Sequence, residues 1–137
     1  MSLDNVPQPD KVKMYCIFAM ESVKKMGGIR GKLATQAGHA YVHCGWDAQD
    51  RFPEHMLAYR NSGHAYKITL VVDTVEDLEK LHEAYKDVTG VSLVKDAGFT
   101  VFKNEDGTPC PTVTCLGIGP LPDRLKADNL TLLKTLT

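Results

Sequence analysis

Apolar and polar positions along this 137-residue chain change period several times, and each change marks an element. Val12 to Ala19 is mostly apolar, with Val, Tyr, Ile and Phe, and predicts a buried strand. Lys24 to Gly31 carries three glycines and predicts a loop. Lys32 to about Cys44 has no proline and predicts a helix, whose small residues (Ala34, Ala37, Gly38, Ala40) let it pack close to a sheet. Asp47 to Arg51 is polar. Pro53 then suits the first turn of a short helix, Glu54 to about Arg60, which Asn61-Ser62-Gly63 ends. Ala65 to Val72 predicts a second strand. Thr74 is a good N-cap, with Asp77 three residues on as an acidic partner. Leu78, Leu81 and Tyr85 follow at helical spacing, so Val75 to about Val88 predicts an amphipathic helix closed by Gly90. Val91 to Lys95 and Thr112 to Ile118 predict a third and a fourth strand. Between them Asn104-Glu105-Asp106-Gly107 predicts a turn, with Thr100 to Phe102 pairing against the fourth strand as an irregular hairpin. The tail holds Pro120 and Pro122 and shows only a weak helix signal.

Strands alternating with helices imply crossover connections and parallel pairing, and the last hairpin adds an antiparallel edge. The expected fold class is α/β: a single domain over residues 11–137, with a four-stranded mixed sheet and helices on both faces. Met1 to Asp10 is polar and proline-containing, and is expected to be a disordered or tag-like N-terminus.

Composition narrows the class. Hydrophobic residues make up 43% and charged residues 24%, the balance of a chain that buries a core. No apolar run approaches the ~20 residues of a membrane helix, so no membrane partner is expected. The four cysteines (Cys16, Cys44, Cys110, Cys115) form no CxxC pair. Three of them sit in apolar or helical contexts, which implies reduced thiols and a cytoplasmic setting. Net charge is −1, but Lys11 to Trp46 carries six basic residues and one acid, or +5, leaving −6 for the rest. Such a local positive field can draw a phosphate-bearing ligand to one face, although a solvated basic loop reads the same way.

Candidate chemistry lies in two segments. Gly28-Ile29-Arg30-Gly31-Lys32 places glycines and a cation between a strand and a helix, the geometry that cradles phosphate. It is not a Walker A loop, because Leu33 stands where that pattern needs Ser or Thr. A plain turn with a solvated lysine remains the alternative. Lys32, Gln36, His39 and His43 recur at spacings of four, three and four, on one helical face. His39 and His43 next to Cys44 could hold a metal, but no HExxH pattern or third ligand accompanies them, so no metal is expected. His39 fits better as a hydrogen-bonding partner. In the second segment, Asp96 of Asp96-Ala97-Gly98-Phe99-Thr100 can serve as a base, a lysine partner or a cap of its own turn. Thr112 and Thr114 alternate on one face of the last strand, with Cys115 expected on the opposite face as an inert thiol.

GKLATQAGHA, then DAGFT, then TVTCLGIGP, in this order, resembles the second family of peptidyl-tRNA hydrolases, the archaeal and eukaryotic type. The resemblance covers about Lys13 to Pro120. It implies a four-stranded mixed sheet, a homodimer, no cofactor, and hydrolysis of the ester joining a peptide to the terminal ribose of tRNA. It assigns catalysis to Lys32, Asp96, Thr100 and Thr114, with Gln36 and His39 matching the family's helix positions as substrate-binding residues. Lys32 would hold a phosphate or the developing oxyanion; Asp96 would orient Lys32 or activate a water. Thr100 and Thr114 would position that water and the ribose hydroxyls. Lys24, Lys25 and Arg30 would grip tRNA phosphates through the basic loop. The chain departs from the family pattern at Met20-Glu21-Ser22-Val23, where an arginine and an aspartate are usual. It also departs in a longer loop before Lys32, at Thr35, in the insertion Lys103 to Pro111, and in the tail. Two other readings share these features: a non-catalytic RNA- or protein-binding module on this fold, and a hydrolase of another ester or amide.

Overall fold

The longest apolar segments form the two central strands. β1 (Val12–Ala19) and β4 (Thr112–Pro122) are buried along most of their length and run antiparallel side by side. β2 (Lys67–Val72) lies parallel to β1, with Tyr15 opposite Ile68 and Ile17 opposite Leu70. β3 (Val91–Asp96) pairs antiparallel with β4, and β5 (Lys134–Thr135) closes antiparallel on β2. The order across the sheet is β3-β4-β1-β2-β5. The computed structural model describes residues 11–99 and 102–137. The expectations for Met1 to Asp10, for Thr100, and for strand pairing by Thr100 and Val101 lie outside the described residues.

The sheet is mixed, as expected, but has five strands rather than four. β5 is two residues long and too short to show a period. β4 is not an edge either. It sits between β3 and β1, because a strand apolar on both faces is stable only with neighbours and layers around it. The Asn104–Gly107 turn forms as predicted, closed by Gly107 N–H to Asn104 O (2.9 Å) and a bridge from Lys103 to Pro109.

Among the described residues, five α-helices flank the sheet. α1 (Met20–Lys25) follows β1 directly and was not predicted. α2 (Arg30–Arg51) runs past Cys44, because Asp47 and Arg51, one turn apart, form a two-pronged pair (2.9 and 2.6 Å) that carries the helix on to Phe52. α3 (Pro53–Ser62) begins on its proline and ends at Gly63. α4 (Val75–Tyr85) starts with the predicted box: Thr74 Oγ1 accepts from Asp77 N–H, and the Asp77 carboxylate accepts from Thr74 N–H. α5 (Asp128–Thr131) is a single turn.

β1 shows why helices lie on both faces. Tyr15, Ile17 and Ala19 pack with Leu78, Leu81 and Tyr85 of α4. Cys16 and Phe18 point the other way, onto Val23, Met26 and Ala40 from the α1–α2 layer. Each large side chain so buried contributes about 1.5–3 kcal/mol. α2 comes unusually close to the sheet. A Cβ on Gly117 of β4 would collide with the carbonyl of Ala40, and one on Gly90 would collide with that of Cys44. The helix therefore rests on bare backbone at two points, which fixes its height above β3 and β4.

Candidate active site

The start of α2 is set by a short loop. Gly27 and Gly28 both have positive φ (67° and 65°), and they reverse the chain so that the helix begins at Arg30. The glycine loop is thus narrower than predicted. Lys24 and Lys25 form the last turn of α1, and Arg30 is the first residue of α2; all three are exposed. The cause is Met26, an apolar residue buried in the core, which closes α1 before the glycines can extend the loop backwards.

Lys32 falls in the first turn of α2, where backbone N–H groups lack intrahelical acceptors. Its Nζ lies 2.6 Å from Oδ2 of Asp96, the last residue of β3. The other carboxylate oxygen accepts from Gly98 N–H at 2.8 Å. Asp96 is therefore lysine partner and turn cap at once. Gly98 makes this possible: its φ is +83°, and any Cβ there would meet the backbone of Cys110.

A second layer stands behind the ion pair. Gln36, one turn after Lys32, donates Nε2–H to Asp96 Oδ2 at 3.2 Å. Its Oε1 accepts from the Thr114 hydroxyl at 2.7 Å. Thr114 reaches Gln36 because of a bulge. The pairing of β3 with β4 steps from Val94 opposite Cys115 to Lys95 opposite Val113, leaving Thr114 without a partner on β3. The expected alternation fails here. Cys115 does not lie opposite Thr114, since its S–H also points to Gln36, at the carbonyl oxygen (3.5 Å). Pairing with β1 ends at Cys115, and Ser22 takes up the nearby Val113 carbonyl at 2.7 Å.

Exposure falls steadily from mouth to interior. The Lys32 side chain is 23% exposed and that of Asp96 7%. Gln36 and Thr114 are buried, so they reach a ligand only through Asp96. Burial pushes the Asp96 carboxyl up. The Lys32 hydrogen bond, the Gly98 N–H and the charges of Lys32 and His39 outweigh it and leave the group below the ordinary carboxylate value. Asp96 is thus an anion at neutral pH, held against an ammonium that opens to solvent.

His39 is exposed and stacks on His43 (5.8 Å between centroids), which stacks in turn on Trp46 (5.3 Å). Cys44, the thiol next to them in sequence, is buried and turned to Tyr41. Among the described residues no cluster of three His, Cys, Asp or Glu side chains is arranged to hold a metal. The α1 residues that replace the usual arginine and aspartate have structural partners, Glu21 accepting from Val75 N–H at 2.7 Å and Ser22 donating to Val113. A separate cavity of about 800 Å3, lined in part by His55, His64 and Tyr66, contains none of the predicted site residues. No helix among the described residues is long and apolar enough to cross a membrane.

The family model for peptidyl-tRNA hydrolase PTH2 matches residues 12–136. The peptidyl-tRNA hydrolase of Methanothermobacter thermautotrophicus is 33% identical over 120 residues, 86% of this chain and 95% of that one. That of Staphylothermus marinus is 36% identical over 103 residues, 74% of this chain and 78% of its own. That of Thermococcus sibiricus is 34% identical over 97 residues, 70% of this chain and 76% of its own.

Proposed function

Because this chain belongs to the peptidyl-tRNA hydrolase PTH2 family, it is an enzyme that hydrolyses peptidyl-tRNA, and we propose that the Lys32–Asp96 pair carries the reaction. The observation behind this assignment is the 2.6 Å contact between a partly exposed ammonium and a buried carboxylate at a helix start. Water attacks the ester carbonyl carbon, and the bond from that carbon to the ribose oxygen breaks. The water's proton ends on the departing ribose hydroxyl. Negative charge grows on the carbonyl oxygen as water adds, and Lys32 with the first-turn N–H groups of α2 stabilises it. Asp96 has a lowered proton affinity, which favours orienting Lys32 and the incoming water by hydrogen bonding over full proton abstraction. Gln36 and Thr114 act as positioning residues that fix the Asp96 rotamer. Thr100 is assigned a water-positioning hydroxyl on the strength of the resemblance alone.

The same proposal extends to partners. Lys24, Lys25 and Arg30 are exposed around the N-terminal end of α2 and supply sequence-independent attraction to tRNA phosphates, with His39 farther along the helix as a ligand contact. A homodimer belongs to the proposal through the family. A cytoplasmic setting is supported by four cysteines without a disulfide, three of them buried.

The test is incubation with N-acyl-aminoacyl-tRNA while free tRNA is followed. Lys32→Ala and Asp96→Asn are expected to lower kcat by about 100-fold or more with the fold intact by circular dichroism. Near-normal turnover by either variant removes that residue from catalysis.

A further inference from the structure

The face of α2 that carries Lys32 and Gln36 continues into a row of rings. His39, His43 and Trp46 follow at spacings of three, four and three, which keeps all five side chains on one stripe. The rings overlap in sequence, with interplanar angles of 29° and 28°. Trp46 is 65% exposed even with His43 stacked on it, an unusual cost for an indole. The stripe is continuous with the catalytic pair, since His39 follows one turn after Gln36, whose side chain donates to Asp96. From Arg30 to Trp46 the helix bears no acidic residue; of the two acids beyond, Asp47 is paired with Arg51 and Asp50 lies one turn past Trp46.

We propose that the His39–His43–Trp46 stripe is a stacking platform for the unpaired bases at the 3′ end of tRNA. This rests on the hydrolase reading and deepens it. The scissile ester is on the terminal ribose, so that ribose must sit at Lys32 and Asp96, and the preceding nucleotides must lead away. Trp46 lies about 21 Å along the helix axis from Lys32, the reach of a few single-stranded nucleotides. Exposed ring faces suit bases, which stack on any aromatic surface regardless of sequence. A protein partner would want the apolar surface without two imidazoles at its centre.

Trp46 is the only tryptophan in the chain, so indole fluorescence reads this stripe alone. The protein is titrated with deacylated tRNA and, in parallel, with the same tRNA trimmed of its single-stranded 3′ nucleotides. Intact tRNA is expected to quench the emission and trimmed tRNA to leave it unchanged. No quenching by intact tRNA, or equal quenching by both, overturns the proposal. In turnover of N-acyl-aminoacyl-tRNA, Trp46→Ala is expected to raise KM roughly five- to tenfold with kcat little changed, and Trp46→Phe to restore KM. An unaltered KM in Trp46→Ala also overturns it. Quenching without any hydrolysis by the wild type would sink the hydrolase reading and leave the platform standing; hydrolysis with a silent indole would do the reverse.

Discussion

Asp96 shows how much one side chain can depend on its setting. Its folded carboxyl has a lower proton affinity than the 3.8 of an unperturbed aspartate. The unfolded chain therefore binds this proton more tightly than the folded one. The stabilisation from Asp96 is complete above about pH 4 and is lost as pH falls through the folded value. Denaturant titrations of wild type and Asp96→Asn between about pH 6 and pH 2.5 should show the stability gap closing in acid; a constant gap would mean the carboxylate contributes nothing through its charge. The Lys32–Asp96 contact was legible beforehand, because a lysine partner was among the roles open to a carboxylate after a strand. The buried link through Gln36 to Thr114 was not. It depends on a bulge that rotates Thr114 towards α2, and alternation along a strand cannot show an inserted residue.

At the level of elements, the decisive contact is α2 against bare glycine backbone. Gly117→Ala would push Ala40 away and lift α2 from β4. The expected loss is about 1–3 kcal/mol by chemical denaturation, with a fall in kcat because Lys32 and Gln36 ride on α2 while Asp96 and Thr114 stay with the sheet. Gly38→Ala is the control. A Cβ there meets nothing within 4 Å, and the helix should gain up to about 1 kcal/mol. Equal effects of the two substitutions would refute the close-packing account. The strongly periodic elements were legible in sequence: β1, α4 with its cap, and the apolar half of β4. α1 was missed because six residues give too little period. The end of α2 was missed because its stabilising pair is ionic, and β5 because an edge of two residues is chosen by β2 rather than by its own sequence.

On the scale of the whole molecule, charge is segregated rather than abundant. The +5 of Lys11 to Trp46 gathers largely on α1 and the start of α2, against −6 elsewhere. If Lys24, Lys25 and Arg30 each neutralise a phosphate, log K for tRNA should fall with log salt at a slope of about −2.5. Replacing Lys24 and Lys25 by Gln should flatten that slope by about two thirds; an unchanged slope would place the tRNA elsewhere. The insertion that carries Asn104–Thr108 belongs to this scale too. Its base is clamped where Cys110 lies against Gly98, and its tip is exposed. Lineages built on this scaffold can therefore lengthen, shorten or recharge that exposed tip while the acid beside its base stays where it is, so substrate preference and chemical competence are free to diverge along separate evolutionary paths.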